Sequence, residues 1–171
     1  METWDAIRSR RNVRVYEDRP ISSEDLERIL EAARRTPSSS NSQPWDLVVV
    51  TDGEQLERLG GVWRGAGHIP GSAATIALIA PVSDEQRLRE SVRYDLGQLT
   101  MSIMIAAADL GIGTGHSSVG DQDLARDILG FPDDRFCAYL IGLGYPADRP
   151  LRPIHNPKRR AFDEVVHQGR W

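Results

Sequence analysis

The sequence is most informative first in what it lacks. Of 171 residues only one, Cys137, is a cysteine. This excludes an internal disulfide framework and any cysteine-rich metal site, and it fits a reducing cytosol. No apolar run reaches the ~20 residues that span a bilayer. The opening METWDAIRSRR is charged and has no apolar segment of the secretory-signal kind. Positive charge is not in excess: 21 Lys and Arg against 25 Asp and Glu leave a net charge of −4. Bulk nucleic-acid binding calls for a basic surface, so that class drops out. There is no internal repeat and no low-complexity segment. What remains is 40% apolar and 27% charged, the balance of an ordinary globular protein. One domain over residues 1–171, located in the cytoplasm, is expected, with neither nucleic acid nor membrane as partner.

The pattern along the chain alternates helices and apolar runs. Residues 3–9 read as a short helix with Trp4 and Ile7 on one face. In ISSEDLERILEAARR, Ser22 and Asp25 make a capping signal. Leu26, Ile29, Leu30 and Ala33 follow at helical spacing, and Pro37 ends the helix. DLVVVT (46–51), AATIALIAP (73–81) and RFCAYLIGLG (135–144) read as three buried strands. EQLERL and DQDLARDILG (121–130) read as short helices, and residues 60–72 as a loop. The longest helical pattern, 84–111, is apolar on nearly every side of its second half, as in a buried helix. Gly111 caps it. The tail, 145–171, carries Pro146, Pro150, Pro153 and Pro157. It is expected to run extended over a surface. Helices on a small sheet make an α+β fold. A buried helix and a long tail suit a chain covered by a second subunit.

Three clusters carry chemistry. The first is RSRRNVR, with Arg8, Arg10, Arg11, Asn12 and Arg14. Guanidinium forks grip phosphate oxygens through paired hydrogen bonds, although such a run also serves as the solvated end of a helix. The second is TPSSSNSQPW, where Ser38, Ser39, Ser40, Asn41 and Gln43 offer donors and acceptors between two prolines. It reads either as a turn between helix and strand or as a frame for a planar, polar-edged ligand. The third is NPKRR, with Lys158, Arg159 and Arg160, a basic group or a solvated tail. Together with the glycine-rich GIGTGHSSVG (111–120), these clusters point to a phosphorylated, aromatic, polar-edged cofactor.

The stretch from AIRSRRNVRVYEDRP to NSQPWDLVVVT resembles the N-terminal half of the FMN-dependent nitroreductase family. YDLGQLTMSIMIAAADLGIGTGH (94–116), LIGLGYPAD (140–148) and NPKRRAFDEVVHQGRW (156–171) are similar to its central helix and closing segments. The P-S-x-x-N-x-Q-P-W element, in register with the upstream arginines, is the most specific part. The resemblance implies a mostly antiparallel central sheet flanked by helices. It also implies an intertwined homodimer with exchanged C-terminal tails and FMN between the subunits.

By the same resemblance, Arg10, Arg11, Asn12 and Arg14 hold the phosphate and the ribityl side of the flavin. Pro37, Ser38, Ser39, Asn41 and Gln43 line it from the other subunit. Lys158 and Arg160 form a late basic pair on the phosphate, with the choice between Arg159 and Arg160 open by one residue. Gly115, His116 and Ser117 lie near flavin N5. The implied reaction moves hydride from NAD(P)H through flavin N5 to a nitroaromatic, quinone-like or other small aromatic acceptor. His116 is the nearest candidate for a proton donor. Two departures from the family pattern stand out: the 60–72 stretch is trimmed, and little chain is left to cap the substrate face. These leave room for other flavin reactions (dehalogenation, flavin cleavage, azoline oxidation) or for flavin storage without turnover. Trp63, Arg64 and His68 either line the opening or sit in a surface loop. Cys137 and Trp45 are expected in the core, and Trp171 on the other subunit.

Overall fold

The computed structural model describes all residues, 1–171. The elements run α1 (Thr3–Ser9), α2 (Ser23–Arg34), β1 (Asp46–Val50), α3 (Gly53–Leu59), β2 (Ala74–Pro81), α4 (Gln86–Asp109), β3 (Gly113–Ser118), α5 (Gln122–Leu129) and β4 (Arg135–Gly144). The helix starts follow from short polar side chains that take up otherwise free backbone N–H groups. Ser22 Oγ accepts from Asp25 N at 3.1 Å, Asp52 from Gln55 N and Asp121 from Leu124 N at 2.9 Å. Gly111, just past α4, and Gly130, just past α5, have φ of 74° and 73°, the left-handed geometry that ends a helix most cheaply on glycine.

The four strands form one antiparallel sheet in the order β1-β2-β4-β3. The two inner strands explain the continuous apolar runs. In β2, Ala74, Ile76, Leu78 and Ala80 face α2 and α4, where they meet Ile29, Leu96, Leu99 and Ile103. The alternate residues Ala77 and Ile79 face the other way, onto Leu56, Leu59, Ile69, Ala125 and Ile128. With both faces covered, period-two alternation places apolar side chains at every position. Each fully buried Leu or Ile contributes about 1.5–3 kcal/mol.

Two expectations change. DLVVVT is an edge strand, not a fully buried one: only Val50 is buried, and Val49 is 36% exposed. The glycine-rich segment, not among the three strands read from the sequence, supplies a fourth strand, β3, at the opposite edge. No helix is long and apolar enough to cross a membrane.

Cys137 lies inside β4 with no exposed surface, and burial pushes its thiol up to about 12. The thiolate is the reactive form. Iodoacetamide at pH 8 is therefore expected to leave the native protein unlabelled and to label it in urea. Rapid labelling of the folded protein would contradict this burial.

Candidate functional site

The arginine-rich segment after α1 lies along the free edge of β3. Val13 N donates to Thr114 O at 2.8 Å, and Asn12 and Thr114 form an isolated parallel bridge. This close approach explains the glycines of β3. A β-carbon at Gly113 would stand 2.6 Å from Val13 Cγ2. One at Gly115 would overlap the Val13 carbonyl oxygen and stand 2.9 Å from the His68 ring. Only glycine lets the two backbones come this near. Tyr16 fastens the same place from the sheet side. Its hydroxyl donates to Val13 O at 2.9 Å and lies 3.2 Å from Gly142 O, and burial pushes its phenol above the ordinary range.

His68 was expected in the opening or in a surface loop. It is instead buried, with Nε2 2.9 Å from the Gly115 carbonyl. A carbonyl only accepts, so Nε2 carries the hydrogen. Trp63 and Arg64 stay outside as a cation–π pair, 5.3 Å from guanidinium carbon to ring centre, with Trp63 40% exposed.

His116 is exposed on the outer edge of β3 while its neighbours Gly115 and Ser117 are buried. Its pKa lies below the usual 6.5, first through desolvation and then through the positive charges of Arg14 and Arg10. The imidazole is therefore neutral near neutral pH and is no proton store there. Relative to the unfolded chain, the folded state binds this proton less tightly. The effect on stability is absent above 6.5 and destabilising as pH falls through the lowered value. In an NMR titration of the flavin-free protein, His116 is expected to show a midpoint below 6.5 that rises in Arg14→Gln. A midpoint at or above 6.5 would contradict the arrangement.

The two ends of the chain meet in one cleft of about 460 Å³, lined by Trp4, Ile7, Arg8, Arg10, Met101, Ile154, His155, Pro157 and Arg159. The tail is held there by Ile154 N, which donates to Arg8 O at 3.1 Å. Arg10 reaches across to Met104 Sδ at 3.7 Å. Arg8 Nε and Arg10 Nε are shielded from solvent and have no partner. Arg8 Nη2 already donates to Asp5 Oδ1 at 2.7 Å, whereas Arg10 pairs with no carboxylate. Buried donors without acceptors are costly, so the charge left over at Arg10 suits the cleft to an anion.

The structure does not bring every expected residue to this cleft. Arg11 turns to the root of the tail, where it donates to Asp148 Oδ1 at 2.7 Å and to Arg149 O at 2.6 Å. This pair holds the Asp148 carboxyl below its usual range. Arg160 bonds Glu164 O at 2.6 Å, and Lys158 is exposed beside it. Of the three late basic residues, Arg159 lines the cleft. Asn12 and Arg14 are exposed along β3.

The serine–asparagine–glutamine loop lies elsewhere. Ser39–Asn41 make a tight turn in which Ser40 and Asn41, and then Gln43, adopt φ of 53°, 55° and 48°. Left-handed backbone at three non-glycine residues costs of order 1 kcal/mol each. Pro37, Ser39, Asn41 and Gln43 are exposed, and Ser38 half-buried accepts from Gln43 N at 2.8 Å. The loop is moored to α4 at Asp95. The arginine cleft reaches α4 at Met104, nine residues on. Nine residues are about 13 Å along a helix and about half a turn around it. Within one chain the loop and the cleft therefore sit on opposite sides of α4. Sequence reasoning missed Asp95, which belongs to no local pattern that marks it, and it singled out His68 without its burial against Gly115.

Comparison with known proteins now has a geometry to stand on. The family model described as "Nitroreductase family" matches residues 7–66. A protein of Archaeoglobus fulgidus named "Putative NADH dehydrogenase/NAD(P)H nitroreductase" is 32% identical over 169 residues, covering 96% of this chain and 96% of that protein. Among solved structures, an FMN-dependent nitroreductase from Clostridium difficile R20291 superposes with a TM-score of 0.84 at 22% identity, covering 97% of this chain and 98% of its own. The NADPH:FMN oxidoreductase from Vibrio harveyi, complexed with NAD+, has a TM-score of 0.84 at 22% identity, covering 97% and 76%. At that identity, likeness to the two structures speaks for the fold alone.

Proposed function

Because the chain belongs to the nitroreductase family, we propose that it is an NAD(P)H-dependent oxidoreductase that works through FMN held between two copies of itself. The cleft of Arg8, Arg10 and Arg159, with its two unpartnered guanidinium nitrogens, carries this reading. A phosphate monoester satisfies such donors through charge-assisted hydrogen bonds. The name of the 32% identical Archaeoglobus fulgidus relative, "Putative NADH dehydrogenase/NAD(P)H nitroreductase", lends support.

When bound, FMN supplies hydride transfer from NAD(P)H to a small acceptor of the nitroaromatic or quinone kind. The chain supplies binding and electrostatics. Arg8, Arg10 and Arg159 would hold the phosphate. Asn12 and Arg14 would hold the rest of the group along β3. Arg14 would bring positive charge to that side, the kind of fixed stabilisation that lowers a barrier most. Gly115, His116 and Ser117 present the β3 backbone, and neutral His116 offers a hydrogen bond without a competing charge. Tyr16 and His68 hold the β3 peptides still.

Two copies are required because loop 38–43 and the arginine cleft are on opposite sides of α4. A second protomer, packed on α4, brings its loop to the first protomer's cleft. The exposed apolar groups are consistent with such packing: Tyr94 is 69% exposed on α4, and Phe162 76% and Trp171 96% on the tail. Exchange of the tails, residues 145–171, between protomers would bury the latter pair. The single domain 1–171 would work in the cytoplasm.

The test is the visible spectrum of the purified protein with added FMN, followed by steady-state NAD(P)H oxidation with a quinone or a nitroaromatic. Flavin absorbance that stays with the protein and acceptor-dependent oxidation are expected. A colourless protein after FMN addition contradicts the reading. A yellow one without turnover reduces it to flavin binding.

A further inference from the structure

Asp95 is a carboxylate that the chemistry above does not use. It lies in the middle of α4 and is 1% exposed. Its partners are neutral. Ser39 N donates to both its oxygens at 3.1 Å, Ser39 Oγ donates to Oδ1 at 3.2 Å, and Gln98 Nε2 donates to Oδ1 at 3.3 Å. A buried carboxylate is costly unless hydrogen-bonded, and an apolar side chain would fill this position on the helix at no such cost.

What the carboxylate holds is the head of loop 38–43. Apart from Trp45 N, which donates to Gln43 O where the chain leaves toward β1, the remaining hydrogen bonds of that loop close on themselves: Asn41 N to Ser38 O, Ser42 N to Ser39 O, Gln43 N to Ser38 Oγ, and Gln43 Nε2 to Asn41 O. The loop is largely exposed, and the residues after Ser39 include three in left-handed backbone. Exposed strain persists only where something over-determines the shape. The tie from Ser39 to Asp95 sits immediately before the first strained residue, on a rigid element.

We propose that Asp95 is a positioning residue: it fixes loop 38–43 of its own protomer in the shape that frames the flavin of the other protomer. This rests on the reading that FMN lies between two protomers. It goes further in assigning the shape of the loop to one buried carboxylate and in stating that its effect is felt across the interface. A group that merely stabilised its own fold would act on its own protomer's site as well.

The experiment uses the full-length dimer. Asp95→Asn keeps the volume and removes the charge. FMN affinity, read by fluorescence quenching, is expected to weaken at least tenfold, with a changed visible circular dichroism of the bound flavin and an unchanged dimer mass. Should that variant not fold, Ser39→Ala removes the hydroxyl contact from an exposed position, and a loss of threefold or more is expected.

The decisive arm is a mixed dimer of one Asp95→Asn protomer and one Arg10→Ala protomer, or Ser39→Ala in place of the first. One of its two sites then combines both defects and the other combines none. One FMN per dimer at wild-type affinity is expected. Unchanged affinity in the variants, or a mixed dimer with no site of wild-type affinity, overturns the proposal. A wild-type protein that binds no FMN, or is monomeric, overturns the underlying reading instead.

Discussion

Arg10→Ala is expected to weaken FMN binding by a factor of ten or more, measured by fluorescence titration of the flavin-free protein. A hydrogen bond to a charged group contributes about 1.5–3 kcal/mol, and ~1.4 kcal/mol is a factor of ten in affinity. Arg10 stands where the two ends of the chain meet, and its Nε is shielded and unpartnered. Removing the guanidinium therefore takes away binding energy without breaking an ion pair of the free protein; only the long contact to Met104 Sδ is lost. The fold should hold. Arg11→Ala makes the comparison sharp. Arg11 is tied to Asp148 and Arg149, so its loss should loosen the tail root and cost flavin affinity less. Equal losses from both substitutions, or no loss from Arg10→Ala, would remove Arg10 from the phosphate site.

Gly115→Ala is expected to be the most disruptive single methyl addition in the molecule. The new β-carbon would overlap the Val13 carbonyl and crowd the His68 ring. Backbone cannot rotate away as a side chain can, so the 10–14 segment must lift from β3. Overpacking costs typically 1–3 kcal/mol; a loss of about 2 kcal/mol or more in urea unfolding is expected, with FMN affinity falling because Asn12 and Arg14 move with the segment. Gly53→Ala serves as the control. Nothing lies within 4 Å of a β-carbon there, and the site is at the start of α3. A helical Gly→Ala change is neutral to stabilising by about 0.5–1 kcal/mol. A Gly115→Ala protein as stable as its parent would show that the approach of the two backbones is not required.

The two substitutions also mark what could be read from the sequence. The helices were legible because their signals are local: Ser22, Asp52 and Asp121 each cap a helix three residues ahead of the N–H they satisfy. The inner strands β2 and β4 were legible as apolar runs. β3 was not. Gly113, Thr114, Gly115 and His116 carry no alternating apolar pattern, and the segment becomes a strand because β4 on one side and residues 12–13 on the other supply its partners. β1 looked buried because Val48, Val49 and Val50 are β-branched. Its edge position depends on strand order, which no local signal encodes.

At the site, the clusters around Arg10 and Ser38 were visible by residue type, and resemblance to a family gave them roles. Their separation across α4 was not visible. Nor were the bonds that span the chain: Arg11 meets Asp148 across 137 positions, Ser39 meets Asp95 across 56, and His68 meets Gly115 across 47. Asp95 in a helical pattern reads as an ordinary polar position, and only the fold shows it buried beneath a strained loop.

The most direct measurement is sedimentation of the protein with added FMN, followed at once by protein and flavin absorbance. The account predicts a single boundary at twice the 19.1 kDa chain mass, carrying two flavins. Flavin that travels with a single chain, or a dimer that leaves all flavin behind, would contradict it.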